Sequence, residues 1–219
     1  MKDKESLIRS ISGILIMLVM LSFIYSYSII YSLIFIIVLG SIMGMEWSNI
    51  VSDKNDMKKT NRWFLIGAVY IVATLVPMFA LKMSPFGNDF LMWLFILTWS
   101  TDTFAYIVGA KLKLAKHKIS SISPKKSYEG LIGGTLASIY FCNLFAAKFL
   151  PEYKNILLYL TPILCCLEQA GDFTESYVKR KFNVKDSGSI IPGHGGFLDR
   201  FDGFLYITTT LLIVLYIVG

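Results

Sequence analysis

The chain alternates between long apolar runs and short charged segments, and this pattern constrains its fold more than any single motif. Apolar stretches fall at roughly 10–25, 28–45, 63–81, 88–110, 130–150, 155–178 and 202–218. A helix crosses the hydrocarbon core with about 20 apolar residues, and in lipid only helices and closed barrels satisfy their own backbone groups. The runs therefore predict an all-α fold, a polytopic transmembrane helical bundle of about seven spans. Composition agrees: 55% of the 219 residues are hydrophobic and 16% charged, against about 25% charged in a soluble domain. The run near Ser10 follows Lys2, Lys4 and Arg9 but lacks a small-x-small cleavage site, so it reads as a retained first helix.

Basic residues set the expected orientation. They gather at the N-terminus, at 51–62 (Lys54, Lys58, Lys59, Arg62), at 111–128 (Lys111, Lys113, Lys116, Lys118, Lys125, Lys126) and at 179–200 (Lys179, Arg180, Lys181, Lys185, Arg200). Seven spans put all four regions on one side, which the positive-inside rule makes cytoplasmic, with the N-terminus there too. The formal charge of +6 follows from these loops, and attraction to anionic lipid or nucleotide phosphates is compatible with it. No nucleic-acid partner is expected. Cys142, Cys165 and Cys166 all fall in apolar runs without metal-ligand spacing and read as buried thiols. The chain reads as one continuous membrane domain, with N-terminal helices over 1–90 and a catalytic region with long polar loops over 91–219.

Charge at membrane depth costs about 2.5–3.5 kcal/mol per residue on insertion scales, so each case needs a reason. Asp102 lies inside the fourth run; it either sits near a helix end, bonds to a neighbouring helix, or forms a polar cavity wall with Ser100, Thr101 and Thr103. In the sixth run Glu168, Asp172, Glu175, Ser176 and Lys179 recur at spacings of three and four, which places them on one helical face. Oxygen ligands facing one way suit a hard cation such as Mg²⁺, although Glu175 and Lys179 also have the spacing of a salt-bridge ladder running into water. Residues 185–202 are denser still: Lys185, Asp186, a loop of Pro192, Gly193, His194, Gly195 and Gly196, then Asp199, Arg200 and Asp202. Glycine-rich backbone beside basic and acidic groups fits phosphate and metal together. Lys125 and Lys126 precede a helix N-terminus, which favours anions, and Gly130, Gly133 and Gly134 offer a small-residue packing face.

These residues resemble a known family. The stretch Ser176-Tyr177-Val178-Lys179-Arg180, then Lys185-Asp186-Ser187-Gly188, then Pro192 through Asp202 is similar to the signature of phosphatidate cytidylyltransferases. Ser123-Pro124-Lys125-Lys126-Ser127-Tyr128-Glu129-Gly130 resembles that family's Ser-Pro-Lys-Lys-Thr-x-Glu-Gly loop, with Ser127 in place of Thr. Asp102, Ala105, Tyr106 and Gly109 resemble its Asp-x-x-Ala-Tyr-x-x-Gly element. The likeness covers roughly 95–205 in detail; residues 1–90 share only hydropathy.

The resemblance implies transfer of a cytidylyl group from CTP to phosphatidic acid, giving CDP-diacylglycerol and pyrophosphate with Mg²⁺, alone or with a second cation. It implies a multi-pass protein of the inner cell membrane whose active site faces the cytoplasm. Asp172 and Asp199 are its expected metal ligands, and Lys179, His194 and Arg200 join them as catalytic candidates. Asp102, Lys125, Lys126, Glu129, Ser176, Arg180, Lys185, Asp186, Gly195, Gly196 and Asp202 are the expected substrate contacts. A homodimer is one assembly that the Gly-rich faces permit. Rival readings fit less well. An ion-coupled transporter would show inverted repeats, a CDP-alcohol phosphotransferase would need Asp-Gly-x-x-Ala-Arg, and a P-loop kinase would need Gly-x-x-x-x-Gly-Lys-Ser/Thr; none is present. The alternative reading is another membrane lipid kinase or phosphotransferase, for example a polyprenol kinase of related architecture.

Overall fold

The computed structural model describes residues 2–52, 57–112, 117–119, 126–192 and 195–218. The apolar runs become helices: α1 (Lys2–Tyr25), α2 (Ile29–Val51), α3 (Met57–Met83), α4 (Gly87–Tyr106), α5 (Tyr128–Phe149), α6 (Lys154–Lys181), a short α7 (Leu198–Phe201) and α8 (Phe204–Val218). A single π turn, Ile107–Lys111, continues α4. Among the described residues six helical segments are long and apolar enough to cross a membrane: α2, α3, α4 with its π turn, α5, α6, and α7 with α8. The apolar part of α1, Ile11–Tyr25, is shorter, because the first turns carry Lys2, Asp3, Lys4, Glu5 and Arg9. Among the described residues there are therefore seven apolar helices, and six of them reach spanning length.

Local chemistry sets several boundaries. Ser28 caps α2 by accepting from Tyr31 N at 3.2 Å, and Ser127 caps α5 by accepting from Gly130 N at 3.1 Å. At the end of α6, Asn183 takes φ 57°. Its N–H donates to Arg180 O and that of Val184 to Lys179 O. This pair of bonds is a Schellman turn, and it sends the chain back toward the bundle. Lys179, Arg180 and Lys181 occupy the last turn of α6, where cations complement the helix dipole.

α4 lies against α5, α5 against α6, α3 against α2 and α8, and α6 against α8. Hydrophobic pressure cannot drive this in lipid, so small residues and hydroxyls do. A Cβ on Gly134 of α5 would run into the backbone carbonyl of Thr101 in α4. Beside it, Ser138 Oγ bonds Ser100 Oγ at 2.8 Å and Thr101 Oγ1 at 2.7 Å, and Thr101 reaches Cys165 Sγ on α6 at 3.4 Å. Ser100 and Thr101 thus tie three helices together instead of forming a polar wall with Asp102. The helical step explains the difference: Asp102 shares its face with Thr98 and Trp99, a turn earlier, whereas 100 and 101 point toward α5. Cys142 and Cys165 are buried, while Cys166, expected inside, is exposed on the outer face of α6. The decisive contact for the site joins α6 to the α7–α8 junction. A Cβ on Gly171 would meet the Asp202 carbonyl and Gly203, and one on Gly203 would meet Glu168, so the two backbones touch.

Candidate active site

That contact sets the acidic face of α6 opposite the turn that carries Asp199 and Asp202. Between them lies a cavity of about 520 Å³, at the loop-bearing end of the bundle. Its polar wall is Asp102 from α4, Glu168, Gln169, Asp172 and Lys179 from α6, Asp186 from the following loop, and Asp199, Arg200 and Asp202 from α7 and its end. Ile16 and Met20 of α1 and Phe95 and Trp99 of α4 belong to its apolar wall.

The two expected metal ligands face this one cavity, each beside a lysine. Asp172 pairs with Lys126 and accepts from Ser176 Oγ at 3.2 Å. Lys126 also donates to Gln169 Oε1 at 2.7 Å, so the loop before α5 is tied to α6. Asp199 accepts from Lys179 Nζ at 2.5 Å, from Gly196 N at 2.9 Å and from Ser187 N at 3.1 Å. Lys179 is also 3.2 Å from Glu175 Oε2. The Glu175–Lys179 spacing is therefore a salt bridge, but one buried under the cavity and shared with Asp199 rather than a ladder running into water.

The glycine loop earns its composition here. Gly195 takes φ 84° and its carbonyl accepts from Ile191 N at 3.0 Å, which closes the loop on itself. Gly196 leaves no room for a Cβ, because the side chains of Ser187 and Glu46 fill that space. Asp202 sits at the start of the junction, where its Oδ1 accepts from Gly203 N at 2.8 Å and its carbonyl accepts from Tyr70 Oη at 2.8 Å.

Other expected contacts lie elsewhere. Arg180 is exposed and donates to Val184 O at 3.0 Å, so it braces the turn after α6. Lys185 is exposed outside the cavity wall. Glu129 does not reach the cavity; its Oε1 is 2.7 Å from His117 Nδ1 and its Oε2 accepts from His117 N at 3.3 Å. His117 is thereby tied to the first turn of α5. Lys125 and His194 lie outside the described residues.

Glu46 of α2 is a participant that the sequence reading does not include. It is 2% exposed and accepts from Phe197 N at 3.0 Å, Leu198 N at 2.9 Å and Ser187 Oγ at 3.4 Å. The cost of a charge at membrane depth flags such a residue, as it flags Asp102, but an apolar run that ends at 45 stops one residue short of it.

A second chamber of about 400 Å³ adjoins the first and shares Asp102 and Gln169 with it. Ala105, Tyr106, Gly109, Lys126, Gly130 and Leu131 line it. The two upstream motifs thus surround one chamber and the downstream signature the other.

As for an ion, the donors in the main cavity are oxygens, which suit Mg²⁺. Glu168 Oε2 in its wall, and Glu175 Oε1 one layer behind beside Lys179, are buried without a hydrogen-bond partner. Among the described residues no three acidic or imidazole groups converge closely enough to hold an ion by themselves. Mg²⁺ commonly takes one or two carboxylates and completes its shell with water and substrate phosphates, so a pair of aspartates is a fitting set.

A profile of the cytidylyltransferase family matches residues 13–218. The chain is similar to the phosphatidate cytidylyltransferase of Rickettsia felis, 34% identical over 224 residues that cover 97% of this chain and 94% of the relative. It is 36% identical to that of Rickettsia typhi over 215 residues, 93% of this chain and 90% of the relative. With that of Staphylococcus epidermidis it shares 46% identity over 132 residues, 59% of this chain and 50% of the relative.

Proposed function

We propose, for a chain that belongs to the cytidylyltransferase family and transfers the cytidylyl group of CTP to phosphatidate, that both substrates meet in the cavity between α6 and the glycine loop. The observation that carries this reading is the juxtaposition of Asp172 and Asp199, each beside a lysine, at one cavity wall.

The reaction forms a bond from a phosphate oxygen of the lipid to the α-phosphorus of CTP and breaks the bond to the β-phosphate, releasing pyrophosphate. The lipid phosphomonoester is already ionised at pH 7, so no strong base is needed; positioning and charge neutralisation supply the rate. Asp172 and Asp199 would hold Mg²⁺, which neutralises charge on the phosphates when bound. Lys179 and Arg200 at the main cavity and Lys126 in the adjoining chamber present cationic groups for phosphate oxygens. Lys126 stands where the two chambers adjoin, which suits a group that binds the phosphate of one substrate beside the other. Gly196 and Ser187 keep Asp199 pointed inward through their N–H groups.

The multi-pass fold accounts for the location. Phosphatidate stays in the bilayer and CTP in water, so the reacting phosphates must meet at an interface. The basic loops argue that this interface is cytoplasmic and the membrane the inner cell membrane.

The test uses protein purified in detergent with phosphatidate, Mg²⁺ and radiolabelled CTP. Lipid-extractable label that vanishes in folded Asp172→Asn and Asp199→Asn supports the site. Liponucleotide formation that survives both variants overturns it. In inside-out vesicles, externally added CTP should be consumed; consumption only in right-side-out vesicles would reverse the orientation.

A further inference from the structure

The glycine loop is gripped by two carboxylates, and only one of them faces the cavity. Asp199 takes the N–H groups of Ser187 and Gly196. Glu46, from a helix about 150 positions earlier, takes the next two N–H groups, Phe197 and Leu198, and the hydroxyl of the same Ser187. Two short backbone segments are thus shared between the carboxylates. A Cβ on Gly188 would come within 2.9 Å of Glu46 Oε1, and one on Gly196 within 2.5 Å of Glu46 Oε2. The loop is therefore shaped around this side chain.

We infer that Glu46 is a positioning residue for the cytidylyl transfer: it fixes the backbone that aims the Asp199 carboxylate, and through it the cation proposed for Asp199. The inference rests on that reading of Asp199.

The physical basis is direct. A buried carboxylate is costly unless its oxygens are hydrogen-bonded, and bonds from N–H groups to a charged acceptor are among the stronger ones in proteins. Both oxygens of Glu46 accept, so neither can be replaced by a donor without opposing an N–H or forcing the hydroxyl to turn. Glu46 itself is immobilised. Its neighbour Trp47 donates from Nε1 to Trp63 O at 2.8 Å and stacks on Tyr70 with centroids 5.8 Å apart. Tyr70 in turn donates to the carbonyl of Asp202. α2 and α3 thus hold both ends of α7, the short helix that bears Asp199.

The experiment compares Glu46→Gln, Glu46→Asp and Ser187→Ala with the wild-type protein in mixed micelles. It reads kcat, the KM for phosphatidate, Mn²⁺ binding from loss of the free-ion EPR signal, and thermal unfolding. Residues that orient a metal ligand typically cost about 10- to 100-fold in affinity or activity when changed. Glu46→Gln should lose that much in kcat and weaken Mn²⁺ binding, with the KM for phosphatidate within about twofold of wild type. Glu46→Asp, which keeps the charge, should recover part of the loss. Ser187→Ala keeps the N–H on Asp199 and should fall in the same direction by up to about tenfold.

Wild-type kcat and Mn²⁺ binding in folded Glu46→Gln overturn the inference, as does a rise confined to the KM for phosphatidate. If Glu46→Gln does not fold, Ser187→Ala decides on the same readouts. Wild-type Mn²⁺ binding by Asp199→Asn would overturn the cation assignment alone, and a kcat loss in Glu46→Gln would then still support positioning.

Discussion

Asp172 and Asp199 face the same cavity but are held by different kinds of structure. Asp172 rides on the long helix α6, and its partners are side chains, Lys126 from a loop and Ser176 one turn along. Asp199 rides on a four-residue helix after a glycine loop, and two of its partners are backbone N–H groups. The Lys126–Asp172 pair is 22% and 29% exposed, and the Lys179–Asp199 pair 10% and 11%. One carboxylate is therefore placed by a rigid helix and keeps adjustable partners, while the other must be placed by its partners. The difference explains why the segment around Asp199 needs glycines and Glu46, whereas Asp172 needs neither.

Four sets of changes would break or sharpen that contrast. The largest effect is expected from Asp172→Asn and Asp199→Asn, each losing about 10³-fold in liponucleotide synthesis, consistent with several kcal/mol of charge stabilisation. Thermal unfolding in detergent should separate them, because with the amide oxygen of Asp199→Asn accepting from Ser187 and Gly196 its NH2 group would face the buried Lys179 ammonium. Only that variant should melt earlier; equal melting would erase the distinction. Next comes Lys179→Met, which strands Glu175 and Asp199 and should cost about 3–5 kcal/mol in stability. Lys126→Met, at a more exposed pair, should cost under about 1 kcal/mol while still impairing turnover. Ser176→Ala removes one bond to Asp172 and should lower kcat by no more than about tenfold. The smallest change belongs to Arg180→Ala, which touches only the turn after α6 and should stay within about 0.5 kcal/mol of wild-type stability. A large turnover defect there would place Arg180 at the substrates after all.

The helices are legible in the sequence because lipid leaves a backbone few alternatives, and the acidic face of α6 because its period is 3.6 residues. The glycine stripe of α5 also lies where its spacing puts it, against α4. Partners distant in sequence cannot be read in this way. Nothing in the order of residues says that Lys126 meets Asp172 or that Lys179 is shared between Glu175 and Asp199. The direction of Arg180 depends on the Schellman turn, which one non-glycine residue, Asn183, creates by taking a positive φ. Grouping Ser100 and Thr101 with Asp102 fails because closeness along the chain counts for less than the 100° step between helical residues. Glu46 escapes a reading that cuts an apolar run at its last apolar residue, although the helix continues to Val51.

The contact between Gly171 and Gly203 has a consequence for how errors in this site would look. Each glycine adjoins an acidic residue of the cavity, Asp172 on one side and Asp202 on the other, and each meets the opposite helix with no room for a methyl group. The gauge between the two walls is thus cut from behind, by what is missing rather than by what reacts. A single added carbon there would act as a shim. Every charged group would still be present, yet the reach between them would be wrong, and a misplacement of about 1 Å can cost about 10²-fold in rate.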